Sequence, residues 1–546
     1  MKSNRASRRI YFAIISLIFT AVIPNAICAA DPVVRIESGM LHGVSFTGES
    51  AAFLGIPYAA PPTGNLRWRE PQSVPQWQGE LKADSYRSAC TQNNAGWNTE
   101  IAASSSEDCL YLNVWTPKLD TSANLPVMVW IHGGAFTGGA GGDSSFDGDR
   151  ITARGVVLVT LNYRLDIFGF FAHPELSAES QHNVSGNYGI LDQQAALRWV
   201  QKNIKQFGGD PKAVTIFGQS AGGMSVTSQL TSPLAKDLAR SAIIQSGSVI
   251  RPTPMTTLQE AEALGRRFSK EGFSKKEFSS EELATNKTIA QLRQQSAVDL
   301  LKTWTRFAST PPQSSLGPIV DNYVLIEDPV VTFANHRQHT VNLMIGNNAR
   351  EGFARVQDAD FRNILSDYYR DSEAKALAVY GFTSEEAVDI DPVLGSPAAQ
   401  WATDTSLRCG AVITATEHNN KKLPVYAYQF EQSIPGRENM GAAHSFELPY
   451  VFGVFKTEGI MGAAYTKEDR ALSDLMVNYW TNFAKQGNPN GTGLSDWPRF
   501  TDDTRAYQQF ATRFESNTNS DKGLRRAACE LFEKKIKSER QDLIQK

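Results

Sequence analysis

The sequence predicts an α/β protein with a central, mostly parallel sheet flanked by helices, and three observations predict it. Val127-Met128-Val129-Trp130-Ile131 is a continuous apolar run, the pattern of a strand whose sheet is covered on both faces. From Val127 onward the chain alternates strand, glycine-rich loop, strand, helix and strand, as a mostly parallel sheet requires. Finally, Val214-Thr215-Ile216-Phe217 runs directly into Gly218-Gln219-Ser220-Ala221-Gly222-Gly223 and then Met224-Ser225-Val226, which reads as a strand, a tight turn and the start of a helix.

Composition bounds what such a fold can serve. The chain has 546 residues, a formal net charge of −3, 41% hydrophobic and 20% charged residues. That is ordinary globular composition, and the near-neutral balance argues against nucleic acid or an anionic membrane as the main partner. The N-terminus reads as an export signal: Lys2, Arg5, Arg8 and Arg9 precede the apolar run Ile10 to Ile23, and Cys28-Ala29-Ala30 offers small residues before Asp31. The run is shorter than the about 20 residues of a membrane span, so residues 1–30 are expected to be cleaved near Ala30 rather than kept as an anchor. Ser7-Arg8-Arg9 leaves the general and twin-arginine routes open. Periplasmic or secreted destinations fit equally.

Removing Cys28 with the signal leaves Cys90, Cys109, Cys409 and Cys529. Three pairings are possible. Local closure favours Cys90 with Cys109, because Thr91 to Asp108 between them is polar and loop-like; Cys409 and Cys529 are then left for each other, or as free buried thiols.

Taken in order, the mature chain opens with Val33 to Ile36 and Met40 to Val44 around Ser38-Gly39, a hairpin signal. Ala52 to Tyr58 follows as a strand and ends before Pro61-Pro62-Thr63-Gly64; Leu110 to Trp115 is the next. The Val127–Ile131 strand runs into His132-Gly133-Gly134-Ala135-Phe136, where consecutive glycines bring bare backbone N–H groups to one spot suited to an oxyanion. Gly138 to Gly142 keeps a merely flexible loop as the alternative. Val156 to Leu161 is another apolar strand. Asp192 to Phe207 has helical spacing, with Ala195, Ala196, Trp199, Val200 and Ile204 on one face, and stops at Gly208-Gly209-Asp210-Pro211. In the turn that follows, Gly218 and Gly222 let the chain close around Ser220 and present its Oγ. An ordinary serine in a glycine-rich turn is the alternative, and the strand in front of it weighs against that. Ala242 to Ser248 reads as a further strand with its exit loop.

Several segments in order resemble the type-B carboxylesterase family, which is related to the cholinesterases and has the α/β-hydrolase fold. They are Glu107 to Val114, His132 to Phe136, Gly186 to Gln193, Phe207 to Pro211 and Gly218 to Gly223. The resemblance extends from Gly55-Ile56-Pro57-Tyr58 to Asn482-Phe483. It implies that Ser220 is a nucleophile and that the N–H groups of Gly134, Ala135 and Ala221 form an oxyanion hole, with His132 structural. It places the acid at Glu351, in the Gly346–Gly352 loop after the strand Val341–Ile345, and the base at His444, in Gly441–Phe452 after the strand Val425–Phe430. Arg164 with Asp192, and Arg67 with Glu107, match structural ion pairs of the family.

The pieces span residues 132 to 444, which excludes independent domains there and implies one α/β-hydrolase domain over residues 31–546, with Met255 to Thr340 as a helical cover. Lys270 to Glu282 is expected to be a solvated charged face. His336 and His339 are three apart but no Cys or carboxylate cluster joins them, so they read as surface, and neither a metal nor an organic cofactor is implied. The implied activity is hydrolysis of a small-molecule carboxylic ester. A triacylglycerol lipase would need a broad apolar lid where Thr91 to Asp108 is polar, and a catalytically silent binding member would lack part of the triad. Gln219 stands where cholinesterases carry a glutamate, which disfavours a cationic choline ester; whether Trp97 faces the site is open. Oligomeric state and the acyl and alcohol preferences are not legible.

Overall fold

The computed structural model describes residues 31–46, 49–273, 287–352, 358–382, 390–512 and 523–540. The export segment and most of the charged stretch Lys270 to Glu282 lie outside these. Thirteen strands are described: β1 (Val33–Ile36), β2 (Gly39–His42), β3 (Val44–Ser45), β4 (Ala51–Pro57), β5 (Glu80–Lys82), β6 (Tyr111–Thr116), β7 (Leu125–Ile131), β8 (Val157–Leu161), β9 (Gly209–Gln219), β10 (Ser241–Gln245), β11 (Asn342–Asn348), β12 (Val425–Phe430) and β13 (Tyr507–Phe510). β1, β2 and β5 make a small sheet. The other ten form one sheet in the order β13-β12-β11-β10-β9-β7-β8-β6-β4-β3. From β13 to β8 neighbouring strands are parallel, and β6, β4 and β3 complete an antiparallel edge.

The order reverses once where it matters. From β7 the chain crosses to β8 on one side, then returns past β7 to β9 and builds β10 to β13 on the other side. The helix Tyr188–Asn203 makes that return, burying Ile190, Leu191, Ala196, Leu197, Trp199 and Val200. A left-handed Gly208 (φ 82°) ends its last turn and turns the chain into β9. Reversal opens a crevice beyond the C-terminal ends of β7 and β9, the place where open α/β sheets take their ligands. Continuous burial of β8 and β10 and of the ends of β7 and β9 is what the apolar runs require, since helices cover both faces.

Two helices of the expected cover, Leu258–Glu271 and Ala297–Ser309, are amphipathic and start at the caps Thr257 and Ser296. Phe268, Leu300, Leu301 and Trp304 join Trp68, Phe168 and Phe171 in a separate apolar cluster. Arg67 ties this cover to the body of the molecule: its guanidinium takes both oxygens of Glu107 at 2.6 Å and donates to the carbonyls of Leu292, Arg293 and Gln295. Arg164 and Asp192 form a second two-pronged pair at 2.7 Å, wholly inside the protein. Breaking a pair buried this deeply by removing one partner typically costs about 3–5 kcal/mol. Disulfides join Cys90 to Cys109 and Cys409 to Cys529.

Candidate active site

Ser220 sits at the exit of β9 with φ 58° and ψ −125°, a conformation that costs a residue with a side chain about 1–3 kcal/mol. The surroundings over-determine it. Ser220 N–H donates to Gln245 O at 2.9 Å, and Ser220 O accepts from Met224 N–H at 2.9 Å as the helix Ala221–Thr231 begins. A Cβ on Gly222 would overlap the carbonyl of Ile131 at the end of β7, and one on Gly218 would lie 2.5 Å from Gly222. The two glycines flanking the serine are therefore forced by how closely the turn passes β7.

The loop after β7 lies against this turn. A Cβ on Gly133 would stand 3.1 Å from Ser220 Cβ. His132 is buried, stacks on Tyr163 and donates from Nδ1 to Gly133 O at 2.8 Å, while Tyr163 Oη donates to His132 O. Burial pushes the His132 imidazole down to about 4, so it stays neutral. Beyond it Gly134 (φ 108°), Ala135 (φ 55°) and Phe136 (φ 61°) make a run of positive-φ residues. Among the described residues the N–H groups of Gly134, Ala135 and Ala221 have no acceptor. Trp97, 43% exposed, touches this loop, since a Cβ on Gly134 would meet its ring at 3.1 Å.

β11 delivers Glu351 and the segment after β12 delivers His444. Their loops are zipped together: Ala349 N–H donates to Phe430 O at 2.8 Å and Arg350 N–H to Ala442 O at 3.0 Å. Glu351 Oε2 accepts from His444 Nδ1 at 2.6 Å, and Oε1 accepts from Ser246 Oγ and Asn348 N–H, both at 2.5 Å. The Glu351 side chain is fully buried, whereas His444 is 29% exposed. With Nδ1–H held by the carboxylate, Nε2 carries the free lone pair, and Gln219 Nε2 donates to it at 3.3 Å. No hydrogen bond joins Ser220 Oγ to His444 among the described residues, and catalytic contacts of this kind commonly tighten only with substrate bound. Burial lowers the proton affinity of His444, but the charge of Glu351, its hydrogen bond and the charge of Glu447 raise it, and the net shift is upward from 6.5.

Sequence reasoning did not single out Ser246, Asn348 or Glu447. Glu447 is completely buried three residues after His444, accepts from Asn348 Nδ2 at 2.8 Å and Gln245 Nε2 at 3.3 Å, and is pushed up to about 7 by burial and by the charge of Glu351. The signal for Ser246 and Asn348 was their position at the exits of β10 and β11, the next two strands beyond β9. Nothing local marked Glu447. His336 stands 3.7 Å from Glu417, and no group of three or more metal-ligating side chains occurs among the described residues.

The ten-stranded sheet, the turn around Ser220 and the loops beyond the parallel strand ends define an α/β-hydrolase. Residues 30–532 match the model of the carboxylesterase family, and the chain belongs to that family. It is a carboxylesterase. It is 36% identical over 495 residues to fumonisin B1 esterase of Sphingopyxis macrogoltabida, covering 88% of this chain and 86% of the relative. Para-nitrobenzyl esterase of Bacillus subtilis is 35% identical over 486 residues, with 87% and 93% covered. Among solved structures, a thermophilic para-nitrobenzyl esterase superposes with a TM-score of 0.75 at 31% identity over 91% of this chain and 99% of that one.

Proposed function

We propose that this carboxylesterase is exported and hydrolyses small carboxylic esters through an acyl-enzyme on Ser220, with His444 as base and Glu351 as acid. The observation that carries the reading is the 2.6 Å bond from His444 Nδ1 to the buried Glu351, which leaves Nε2 as the acceptor beside the strained serine turn. His444 Nε2 takes the Ser220 proton as Oγ attacks the ester carbonyl, and Glu351 orients the ring and stabilises the imidazolium. The oxyanion is received by the N–H groups of Gly134, Ala135 and Ala221, each such donor being worth about 3 kcal/mol in the transition state. His444 then protonates the departing alkoxide. Water, deprotonated by the same imidazole, attacks the acyl-enzyme and releases the acid.

The names of the relatives, for fumonisin B1 and for para-nitrobenzyl esters, support a carboxylic ester as substrate. The polar Thr91 to Asp108 segment supports an ester in solution over an emulsified triacylglycerol. Export rests on residues 1–30 and is supported by the two disulfides. No helix among the described residues is long and apolar enough to cross a membrane. The test is intact-mass analysis after a fluorophosphonate probe: one adduct is expected on the mature enzyme and none on Ser220→Ala. An adduct that persists in the variant removes Ser220 from the mechanism.

A further inference from the structure

β9 ends on Gln219, the residue immediately before the nucleophile, and its side chain is buried. Sheet register sets where that side chain goes. Gln219 pairs with Gln245 of β10, so the two side chains leave the same face of the sheet. Both reach the segment that carries the base: Gln245 Nε2 donates to Glu447 at 3.3 Å, and Gln219 Nε2 donates to His444 Nε2, also at 3.3 Å. On its other side Gln219 lies against the oxyanion loop, where a Cβ on Gly133 would stand 3.1 Å from Gln219 Oε1 and 2.6 Å from its backbone oxygen.

This contact occupies the atom that the reaction needs. A neutral imidazole has one ring lone pair, here on Nε2 because Nδ1–H is held by Glu351 at 2.6 Å. Among the described residues the ring hydrogen bonds of His444 go to Glu351 and Gln219, and none goes to Ser220 Oγ. A lone pair that accepts from an amide N–H is not free for a hydroxyl. The amide neither gives up nor takes a proton, so its hydrogen bond favours the neutral imidazole without doing chemistry. In this it works against Glu351 and Glu447, the two charged groups that raise the proton affinity of the ring.

We propose that Gln219 is a positioning residue that holds the lone pair of His444 in the resting enzyme and yields it to Ser220 when an ester occupies the site. This rests on Ser220 being the nucleophile and His444 its base. In the exchange one N–H···N bond breaks and one O–H···N bond forms, and no proton changes its parent atom until the serine attacks. Ser220 is thereby left unactivated towards small electrophiles, and a neutral hydrogen bond of this kind holds the reactive arrangement back by about two- to tenfold.

The test is the second-order rate of labelling by diisopropyl fluorophosphate across pH, in wild type, Gln219→Met and Gln219→Glu. Methionine keeps the length of the side chain and removes the donor; glutamate keeps the shape and replaces the donor with a carboxylate. On the plateau above the acid limb, Gln219→Met is expected to be labelled about two- to tenfold faster than wild type. Its limb should move to higher pH, because the neutral imidazole has lost a hydrogen bond. In Gln219→Glu the limb should move higher still, since the carboxylate accepts from the imidazolium and adds its charge to those of Glu351 and Glu447. A side chain that only fills space predicts slower labelling and an unmoved limb. A methionine variant labelled no faster than wild type, a limb that stays or falls, or a glutamate limb no higher than the methionine one overturns the proposal. Should the methionine variant fail to fold, Gln219→Asn, whose shorter amide falls short of Nε2, is held to the same two readouts. Labelling that persists in Ser220→Ala overturns instead the reading of Ser220, and this inference with it.

Discussion

His444 is where opposing electrostatic effects meet. Burial, the largest single effect, would make the imidazole harder to protonate; the charge and hydrogen bond of Glu351 at 2.6 Å, together with the charge of Glu447, outweigh it. In the proposed mechanism a protonated imidazole cannot take the Ser220 proton, so activity is expected to be full above this pKa and lost as pH falls through it. The acid limb of kcat/KM is therefore expected above the ordinary histidine value of 6.5. Glu447→Gln removes one raising charge and should move the limb to lower pH. Because the Glu447 carboxyl is itself pushed up to about 7, the wild-type limb belongs to the coupled pair and should sharpen to a single ionisation in the variant. Profiles of the two enzymes decide it: a wild-type limb at or below 6.5, or one that Glu447→Gln leaves in place, overturns this account. The serine turn was legible from its local chemistry and the family resemblance pointed to Glu351 and His444 as its proposed partners, but Glu447 was marked by neither, because a buried glutamate in sequence looks like any surface one until its surroundings are known.

A π-helical turn, Asp404–Arg408, stands behind the acid loop. Such a turn aligns residues five apart, here Thr403 and Arg408, toward the same side. Thr403 Oγ1 accepts from Glu351 N–H at 3.0 Å and Gly352 N–H at 3.4 Å, and Arg408 Nη2 donates to Ala349 O at 2.8 Å. Arg408 is held in turn by Asp404, which Arg525 and Tyr380 also engage. Thr403→Val keeps the shape but leaves the Glu351 amide, a buried donor, without its acceptor. It is expected to lower kcat about ten- to a hundredfold with KM nearly kept, and Thr403→Ser should restore it. Steady-state kinetics on the three proteins check this, and a valine variant within about twofold of wild type would mean that the zipper to β12 alone holds Glu351. Sequence periodicity marks neither the π turn nor its role, since its contacts to the acid loop lie more than fifty residues away.

At the scale of the whole molecule, the two disulfides close loops of very different length, 19 and 120 residues in separation. In the chain-entropy model they stabilise by about 3 and about 5 kcal/mol. Cys409→Ala/Cys529→Ala is thus expected to lose more stability than Cys90→Ala/Cys109→Ala in denaturant unfolding. The reverse order would mean that native contacts, not loop length, set the cost.

What the sequence by itself determined is local. The parallel strands β7 to β12 announce themselves as apolar runs because a sheet covered on both faces leaves no polar side, and the serine turn because its glycines are adjacent in the chain. Even there the strand leading to Ser220 reads from Val214, whereas β9 begins at Gly209. β13, Tyr507–Phe510, is a strand only because it pairs with β12, and its own residues carry no alternation. Tertiary structure decided the strand order, the crevice at its reversal, and the hydrogen bonds of Ser246 and Asn348 around Glu351. Those depend on which distant residues become neighbours. Periodicity and turn chemistry report only the nearest few positions along the chain, so this part of the protein exists only once the sheet has assembled.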